Sequence, residues 1–190
     1  MLDAVEALDF AEPYEVFTTA SRLHGRSHPG EAPLFEVCCV ARAMEPIQAR
    51  ASLRVLPDSC FADSLPCDLL VAPGGVVDAA VACEETLDWI SLTAAQAQIT
   101  ASVCTGAFLL AASGVLTTET VTTHWEDVGD LHNRFPALSV QEGPCYRRRA
   151  SGHLGRHQRR HRHVPALGGG AGRAGVGGSH GAADGLPVAS

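Results

Sequence analysis

The chain of 190 residues contains no lysine, so arginine supplies all 14 of its Lys/Arg side chains. This absence is typical of a GC-rich genome. The chain also lacks an apolar run of the roughly 18 residues that a membrane-spanning helix needs, and it does not open with a signal peptide. We therefore expect a cytoplasmic protein with no membrane partner.

Seven cysteines are present, but no two of them form a CxxC pair. That spacing argues against a thioredoxin-like redox site and against a zinc ribbon. An odd number of thiols also does not suit an oxidising compartment, because one of them would lack a disulfide partner. The sequence predicts no metal ion and no organic cofactor.

What the chain does contain is a segment, residues 99–116, that changes from strand-like to helix-like at a single cysteine. Residues 99–103 are typical of a short buried strand, residues 104–106 of a tight turn, and residues 107–112 of an apolar helix. A thiol at such a junction lies over free backbone N–H groups, which are expected to lower its pKa. Cys104 is therefore a candidate nucleophile, and a buried core cysteine is the equally weighted alternative.

Two further segments bear on this site. The strand-like residues 69–72 end in Pro-Gly-Gly, and glycines there can turn backbone N–H groups toward a bound group. The N–H groups of Gly75 and Thr105 are thus candidates for an oxyanion hole, although an ordinary turn is the common alternative. His124 ends a short β-branched run and is a candidate base or ion-pair partner for a thiolate, with a structural histidine as the alternative.

The order of the predicted elements is that of an α/β protein. Helices are predicted over residues 11–21, 84–97 and 126–134, and strands over residues 34–41, 53–55, 69–72 and 99–103. Strands that alternate with helices predict a parallel sheet covered on both faces. The active site of such a sheet lies at the carboxyl ends of the strands, where Gly75 and Cys104 both emerge.

Four motifs carry a resemblance to a known family: LDFAEPYEVF from residue 8, VAPGG from residue 71, SVCTGAFLLAASGVL from residue 102 and TTHW from residue 122. Their order and spacing resemble the ThiJ/PfpI superfamily, over about residues 1–145. The resemblance implies a flavodoxin-like parallel-sheet sandwich of the class I glutamine amidotransferase type. Within the superfamily, the chain is most similar to isonitrile hydratases and to the sensor domains that precede AraC-type DNA-binding domains.

The resemblance also implies roles for individual residues. Cys104 matches the nucleophile and Asp9 the acidic residue that faces it, while Gly75 and Thr105 match the oxyanion donors and His124 a nearby histidine. The implied reaction is the addition of water to an isonitrile, which is a small-molecule electrophile, to give an N-substituted formamide. A carboxyl group close to a thiolate is expected to have a raised pKa, as an acid catalyst needs.

Several alternatives stay open. Glu12 stands where isonitrile hydratases tend to have glycine, which leaves the substrate undetermined. The competing class is a ligand- or redox-sensing domain of an AraC-type regulator, which would contact DNA only through a lost C-terminal domain, with Cys104 as a site of oxidation. A third is a glyoxalase-like or protease-like member. Because relatives are commonly dimers, a homodimer is one of the assemblies that the resemblance implies.

The composition changes after residue 146. Residues 1–146 contain 6 arginines and 20 acidic residues, whereas residues 147–190 contain 8 arginines and a single acid. A basic tail ordinarily suggests a nucleic-acid-binding arm or a disordered linker. However, residues 149–165 can be translated back into DNA with the codons that GC-rich genomes commonly use. When that DNA is translated in a frame shifted by one base, it encodes GRVVTSAGISAGIDMSL, which is similar to the corresponding segment of family members. We therefore predict a truncated domain over residues 1–146 and a disordered low-complexity tail over residues 147–190, produced by a frameshift near residue 147. Its histidines are not expected to bind zinc.

The start of the sequence also departs from the family, which normally opens with an apolar strand leading into the motif at residue 8. The expected consequence is the loss of a central strand, which would leave buried backbone N–H and C=O groups without partners. Either the start codon lies further upstream, or the chain as written is impaired. We expect the 190-residue chain to be poorly folded or inactive.

Overall fold

The computed structural model describes residues 1–143, and the predicted tail lies outside the described residues. The helices are α1 (Ala7–Ser27), α2 (Asp78–Val81), α3 (Glu84–Gln96), α4 (Gly106–Ala112) and α5 (Val128–Arg134), with a 3₁₀ turn at Trp125–Asp127. The strands are β1 (Val40–Ala41), β2 (Ile47–Gln48), β3 (Arg54–Val55), β4 (Ser59–Cys60), β5 (Leu69–Ala72), β6 (Ile99–Ser102), β7 (Thr120–Val121) and β8 (Ser139–Val140).

The longest ladder is the parallel pair of β5 and β6, which runs in register from Leu69 opposite Ile99 to Ala72 opposite Ser102. The chain passes from β5 to β6 through α2 and α3, which is the kind of helical crossover that parallel strands require. The pairs β1–β4 and β7–β8 are also parallel, whereas β2–β3 is antiparallel. Parallel strands joined by helices confirm the predicted α/β class.

The main core forms between β5 and the helices that come after it in the chain. Helix α4 is apolar on all sides, and its residues from Gly106 to Ala111 are buried, as is typical of a helix in the interior of a domain. Helix α3 contributes Ile90 and Ala94, and α5 contributes Leu131, which is 0% exposed. The core therefore lies directly beneath the end of β6, close to Cys104.

Two predicted elements differ from the structure by more than two residues, whereas most of the others differ by one or two. Helix α1 begins at Ala7 rather than residue 11, which places Asp9 in its first turn and Pro13 inside the helix. The strand predicted over residues 34–41 is confined to Val40–Ala41, which pair with Ser59–Cys60. The physical reason for this shortening is that residues 34–39 join no ladder within residues 1–143, and an extended segment counts as a strand only where it is paired.

The residues before α1 connect distant parts of the fold. The amino group of Met1 donates to the carbonyl of Val40, and the Ala4 N–H donates to the Gln48 carbonyl at 2.8 Å. Val5, which is 0% exposed, forms an isolated bridge with Gly75. These contacts fix the start of α1 beside the bend at the end of β5. In the part of the chain that the structure describes, β5 forms a ladder with β6 alone.

None of the helices within residues 1–143 combines the length and the apolar character needed to cross a bilayer.

Candidate active site

Cys104 lies in the turn between β6 and α4 and has a positive φ of +52°. This left-handed conformation is unusual for a residue with a side chain and is strained unless the surroundings hold it. The Val103 N–H donates to the Ala72 carbonyl at 3.0 Å, and the Gly106 N–H donates to the Val103 carbonyl at 2.9 Å. These two bonds hold the turn on both sides of the cysteine, at the position where the sequence predicts it.

The residue after Thr105 must be a glycine because α4 begins in direct contact with the end of β5. A Cβ atom at Gly106 would lie 2.1 Å from the carbonyl oxygen of Ala72 and 2.9 Å from its carbonyl carbon. Both neighbours are backbone atoms that cannot move independently of the sheet. Gly106 thus allows the helix to start immediately beyond the strand, with Cys104 at the top of the turn.

Asp9 faces this turn from the first turn of α1. Its side chain is buried, at 8% exposure, and its Oδ2 accepts a hydrogen bond of 3.1 Å from the Gly74 N–H. Burial raises the pKa of Asp9, while the bonds from Gly74 and the Cys104 thiol and the nearby charge of His124 act in the opposite direction. The predicted raised pKa is confirmed in direction, but its largest cause is burial rather than repulsion by a thiolate.

The thiol of Cys104 is half-buried and hydrogen-bonded to Asp9. Burial raises the pKa of Cys104, the Asp9 charge raises it further, and the N–H and hydroxyl of Thr105 lower it only in part. The expectation that the helix N-terminus lowers this pKa is therefore wrong. The reason is that desolvation and a carboxylate together outweigh hydrogen bonding at the start of a helix of 7 residues.

Thr105 and Gly75 are joined by a pair of hydrogen bonds. The Gly75 N–H donates to Thr105 Oγ1 at 2.8 Å, and the Thr105 hydroxyl donates to the Gly75 carbonyl, also at 2.8 Å. The structure thus places the two predicted oxyanion donors side by side, but the Gly75 N–H is already partnered. The Gly75 N–H becomes available to a substrate only when rotation of the Thr105 side chain moves Oγ1 away from it.

His124 lies in the segment after β7, next to the turn but not bonded to it. Its Nδ1 is 3.4 Å from Asp127 and 3.8 Å from Glu126. The preceding residue, Thr123, donates its hydroxyl to the Cys104 carbonyl at 3.2 Å. The structure therefore brings Asp9, Cys104, Thr105 and Gly75 into direct contact, whereas within residues 1–143 the charged partners of His124 are the two neighbouring carboxylates.

Two residues of this site have no role in the sequence-based prediction. Gly74 lets Asp9 and Thr105 approach each other, since a Cβ there would lie 2.7 Å from Asp9 Oδ2 and 2.6 Å from Thr105 Oγ1. The Pro-Gly-Gly pattern was the signal that could have identified it. Thr123 belongs to the TTHW motif, but its bond to the Cys104 carbonyl could not be read from that motif, because the bond depends on how the segment after β7 packs.

The arrangement is suited to chemistry at the Cys104 sulfur. A thiol and a carboxyl group in hydrogen-bond contact can exchange a proton, and the N–H and hydroxyl of Thr105 act to lower the pKa of the thiol. Among the described residues, no group of three or more histidine, cysteine or acidic side chains is placed to hold a metal ion.

Comparison with known sequences gives consistent matches to one family. The DJ-1/PfpI family profile matches residues 1–142. The isonitrile hydratase of Pseudomonas putida is 33% identical over 137 residues, which cover 72% of this chain and 53% of that protein. The HTH-type transcriptional regulator GbdR of Pseudomonas aeruginosa is 24% identical over 140 residues, 74% of this chain and 36% of the regulator. The chain thus spans about half or less of these two relatives.

Solved structures show the same fold. A ThiJ/PfpI family protein from Pseudomonas syringae superposes with a TM-score of 0.63 at 27% identity, covering 77% of this chain and 56% of that one. DJ-1 of Schizosaccharomyces pombe superposes with a TM-score of 0.57 at 13% identity, covering 75% and 74% of the two chains. The second similarity is one of fold alone.

Proposed function

This chain belongs to the DJ-1/PfpI family, and from that premise we propose that it adds water to an isonitrile, with Cys104 as the nucleophile. The observation that supports this function is the contact between the thiol of Cys104, whose backbone φ is +52°, and the buried carboxyl group of Asp9. Similarity to an isonitrile hydratase supports the substrate class. The product would be an N-substituted formamide.

Burial raises the pKa of Asp9 and the pKa of Cys104. In the first step the Cys104 sulfur bonds to the terminal carbon of the isonitrile, and the thiol proton passes by way of the Asp9 carboxyl group to that carbon. The result is a thioimidate, in which carbon has gained one sulfur and one hydrogen. No oxidant or reductant is needed.

In the second step water adds to the thioimidate carbon, and Asp9 passes a proton from the water to the nitrogen. The carbon–sulfur bond then breaks, the sulfur recovers a proton from the new hydroxyl group, and the formamide leaves. The sum of both steps is one isonitrile plus one water. The N–H groups of Thr105 and Gly75 stabilise the developing negative charge, which for Gly75 requires that the Thr105 hydroxyl rotate away from it.

His124 acts in this proposal through its charge rather than by contact with the sulfur. Its positive charge lowers the pKa of Asp9 against the effect of burial. Asp9 is the group that takes and gives protons in both steps, so His124 acts on the chemistry through Asp9. His124 is therefore a positioning and tuning residue.

A second candidate is the ligand-sensing domain of an AraC-type regulator, because GbdR and another HTH-type regulator, from Mycobacterium tuberculosis, match the chain. DNA would then be contacted by a separate domain. The raised pKa of Cys104 slows oxidation, since the thiolate is the reactive form, so ligand binding is favoured over redox sensing. Translation of the downstream DNA in the shifted frame tests this candidate: two helix-turn-helix units would support it.

The hydratase is tested by incubating the full 190-residue chain with cyclohexyl isonitrile and measuring N-cyclohexylformamide by mass spectrometry. Cys104→Ala is expected to lower turnover by a factor on the order of 10³ or more. Cys67→Ala is the matched control, because Cys67 is also half-buried with a pKa that burial raises, and it should leave turnover unchanged. Equal rates in the parent and in Cys104→Ala would refute the proposal, as would a cooperatively folded parent that forms no formamide.

The same preparation tests the expectation that the chain is impaired. A single cooperative thermal transition together with Cys104-dependent turnover would overturn that expectation.

A further inference from the structure

The chain has two tryptophans, which lie in different environments. Trp89 stacks on Phe61 with ring centroids 4.5 Å apart, and its Nε1 donates to the Ser64 hydroxyl at 3.0 Å. Trp125 is 75% exposed, and its ring has one described aromatic contact, a tilted one with His124 at 5.6 Å. Trp89 is therefore a packed structural residue, whereas Trp125 presents a large apolar surface to solvent.

The position of Trp125 relates it to the candidate active site. It begins the 3₁₀ turn Trp125–Asp127, which the Asp127 N–H closes by donating to the His124 carbonyl at 2.9 Å. Two residues earlier, the Thr123 hydroxyl holds the Cys104 carbonyl. The indole is thus attached to a short segment that is fixed to the nucleophile turn at one end and closed by a hydrogen bond at the other.

The groups in direct contact around the sulfur are polar. Asp9, the Thr105 N–H and, once Thr105 Oγ1 moves away from it, the Gly75 N–H can serve the reacting carbon and nitrogen of an isonitrile. A hydrocarbon substituent needs an apolar surface in addition. An uncharged hydrocarbon substituent gains free energy by covering an exposed aromatic ring, because both surfaces leave water. Trp125 is the large exposed apolar side chain on the segment that touches the turn.

We propose that Trp125 binds the apolar substituent of the substrate and thereby determines which isonitriles the protein accepts. This inference rests on the proposed function and extends it to a substrate class: isonitriles with bulky hydrocarbon substituents, such as cyclohexyl, are preferred over methyl isonitrile. Trp125 contacts the part of the substrate that does not react, so it affects binding more than the chemical step.

Binding is measured without turnover in the full chain carrying Cys104→Ala and Trp89→Phe, where Trp125 is the single tryptophan. Cyclohexyl isonitrile should change the Trp125 emission saturably, whereas N-acetyltryptophanamide in parallel should show no saturation. A second protein with Cys104→Ala and Trp125→Phe, in which Trp89 remains, should not respond. An unchanged emission from Trp125 across the titration would overturn the proposal.

Turnover provides the second test. Trp125→Ala should raise KM for cyclohexyl isonitrile by about tenfold or more while kcat changes by less than about threefold. KM for methyl isonitrile should change by less than about twofold, and Trp125→Phe should retain most of the affinity because a ring is kept. An equal change in KM for both substrates, or no change for either, would overturn the proposal. A saturable Trp125 response in a folded chain without turnover would support substituent binding while refuting the hydratase.

Discussion

Replacing Gly74 by alanine tests whether the close approach of Asp9 to the nucleophile turn is what organises the site. The added Cβ would lie 2.6 Å from the backbone nitrogen of Thr105, which is 0.8 Å closer than the 3.4 Å at which ordinary contact begins. Thr105 N belongs to the start of the buried helix α4, so it cannot move by that amount alone. The Asp9 carboxylate, 2.7 Å from the same Cβ, would have to move as well.

The size of the effect is set by these two displacements. Overpacking against backbone costs about 1–3 kcal/mol, and weakening the bond between the Gly74 N–H and Asp9 costs about 1 kcal/mol more. Gly74→Ala should therefore lower the free energy of unfolding by about 2–4 kcal/mol. Because a displacement near 1 Å in a catalytic group can cost on the order of 100-fold in rate, turnover should fall by about that factor.

Urea unfolding monitored by circular dichroism at pH 7 measures the first effect, and formamide production measures the second. The control is Gly129→Ala, since Gly129 lies inside helix α5 and a Cβ there would have no atom within 4 Å. Alanine at that position should stabilise the fold by about 0.5–1 kcal/mol and leave turnover unchanged. If Gly74→Ala unfolds within about 0.5 kcal/mol of the parent and retains its activity, the close contact does not organise the site.

Three further predictions concern titratable groups. Asp9→Asn removes the charge that raises the pKa of Cys104, so alkylation of Cys104 by iodoacetamide at pH 8 should become faster in peptide mapping by mass spectrometry; an unchanged rate would contradict the role of Asp9. Brief alkylation at pH 7 should label Cys83 before Cys104 and Cys67. Hydrogen bonds from the Thr86 hydroxyl and N–H lower the pKa of Cys83, whereas burial raises the pKa values of Cys104 and Cys67. Because burial raises the pKa of Asp9 above its unfolded value near 3.8, the folded protein holds the proton more tightly. The free energy of unfolding should therefore fall as the pH rises from about 4 through the folded pKa; urea unfolding at several pH values should show this slope in the parent and a smaller one in Asp9→Asn.

Local patterns in the sequence were sufficient for several elements. The strand β5 has the bounds that its apolar run predicts, Leu69–Ala72, and the turn at Cys104 lies where the strand-like and helix-like patterns meet. Both depend on residues close together in the chain. The predicted strand over residues 34–41 failed over most of its length, because a strand requires a partner and pairing is a property of the fold.

The site shows the same division. The residue types around Cys104 identified the family and the candidate nucleophile, and the family profile over residues 1–142 confirmed the first of these. The roles of Asp9, Thr105, Gly75 and His124 stay predictions. The direction of the Cys104 pKa was predicted wrongly, because the sequence shows the helix N-terminus but not the burial or the facing carboxylate.

The sequence by itself determined the α/β class, the family and the strand–turn–helix that presents Cys104, since these depend on short-range patterns of apolar residues and glycines. Only the tertiary structure decided which groups surround the sulfur. The bond from the Gly74 N–H to Asp9 joins residues 65 positions apart, and the pair between Gly75 and Thr105 joins residues 30 apart. Contacts over such separations, and the desolvation that they produce, depend on how the elements pack and leave no local signal in the chain.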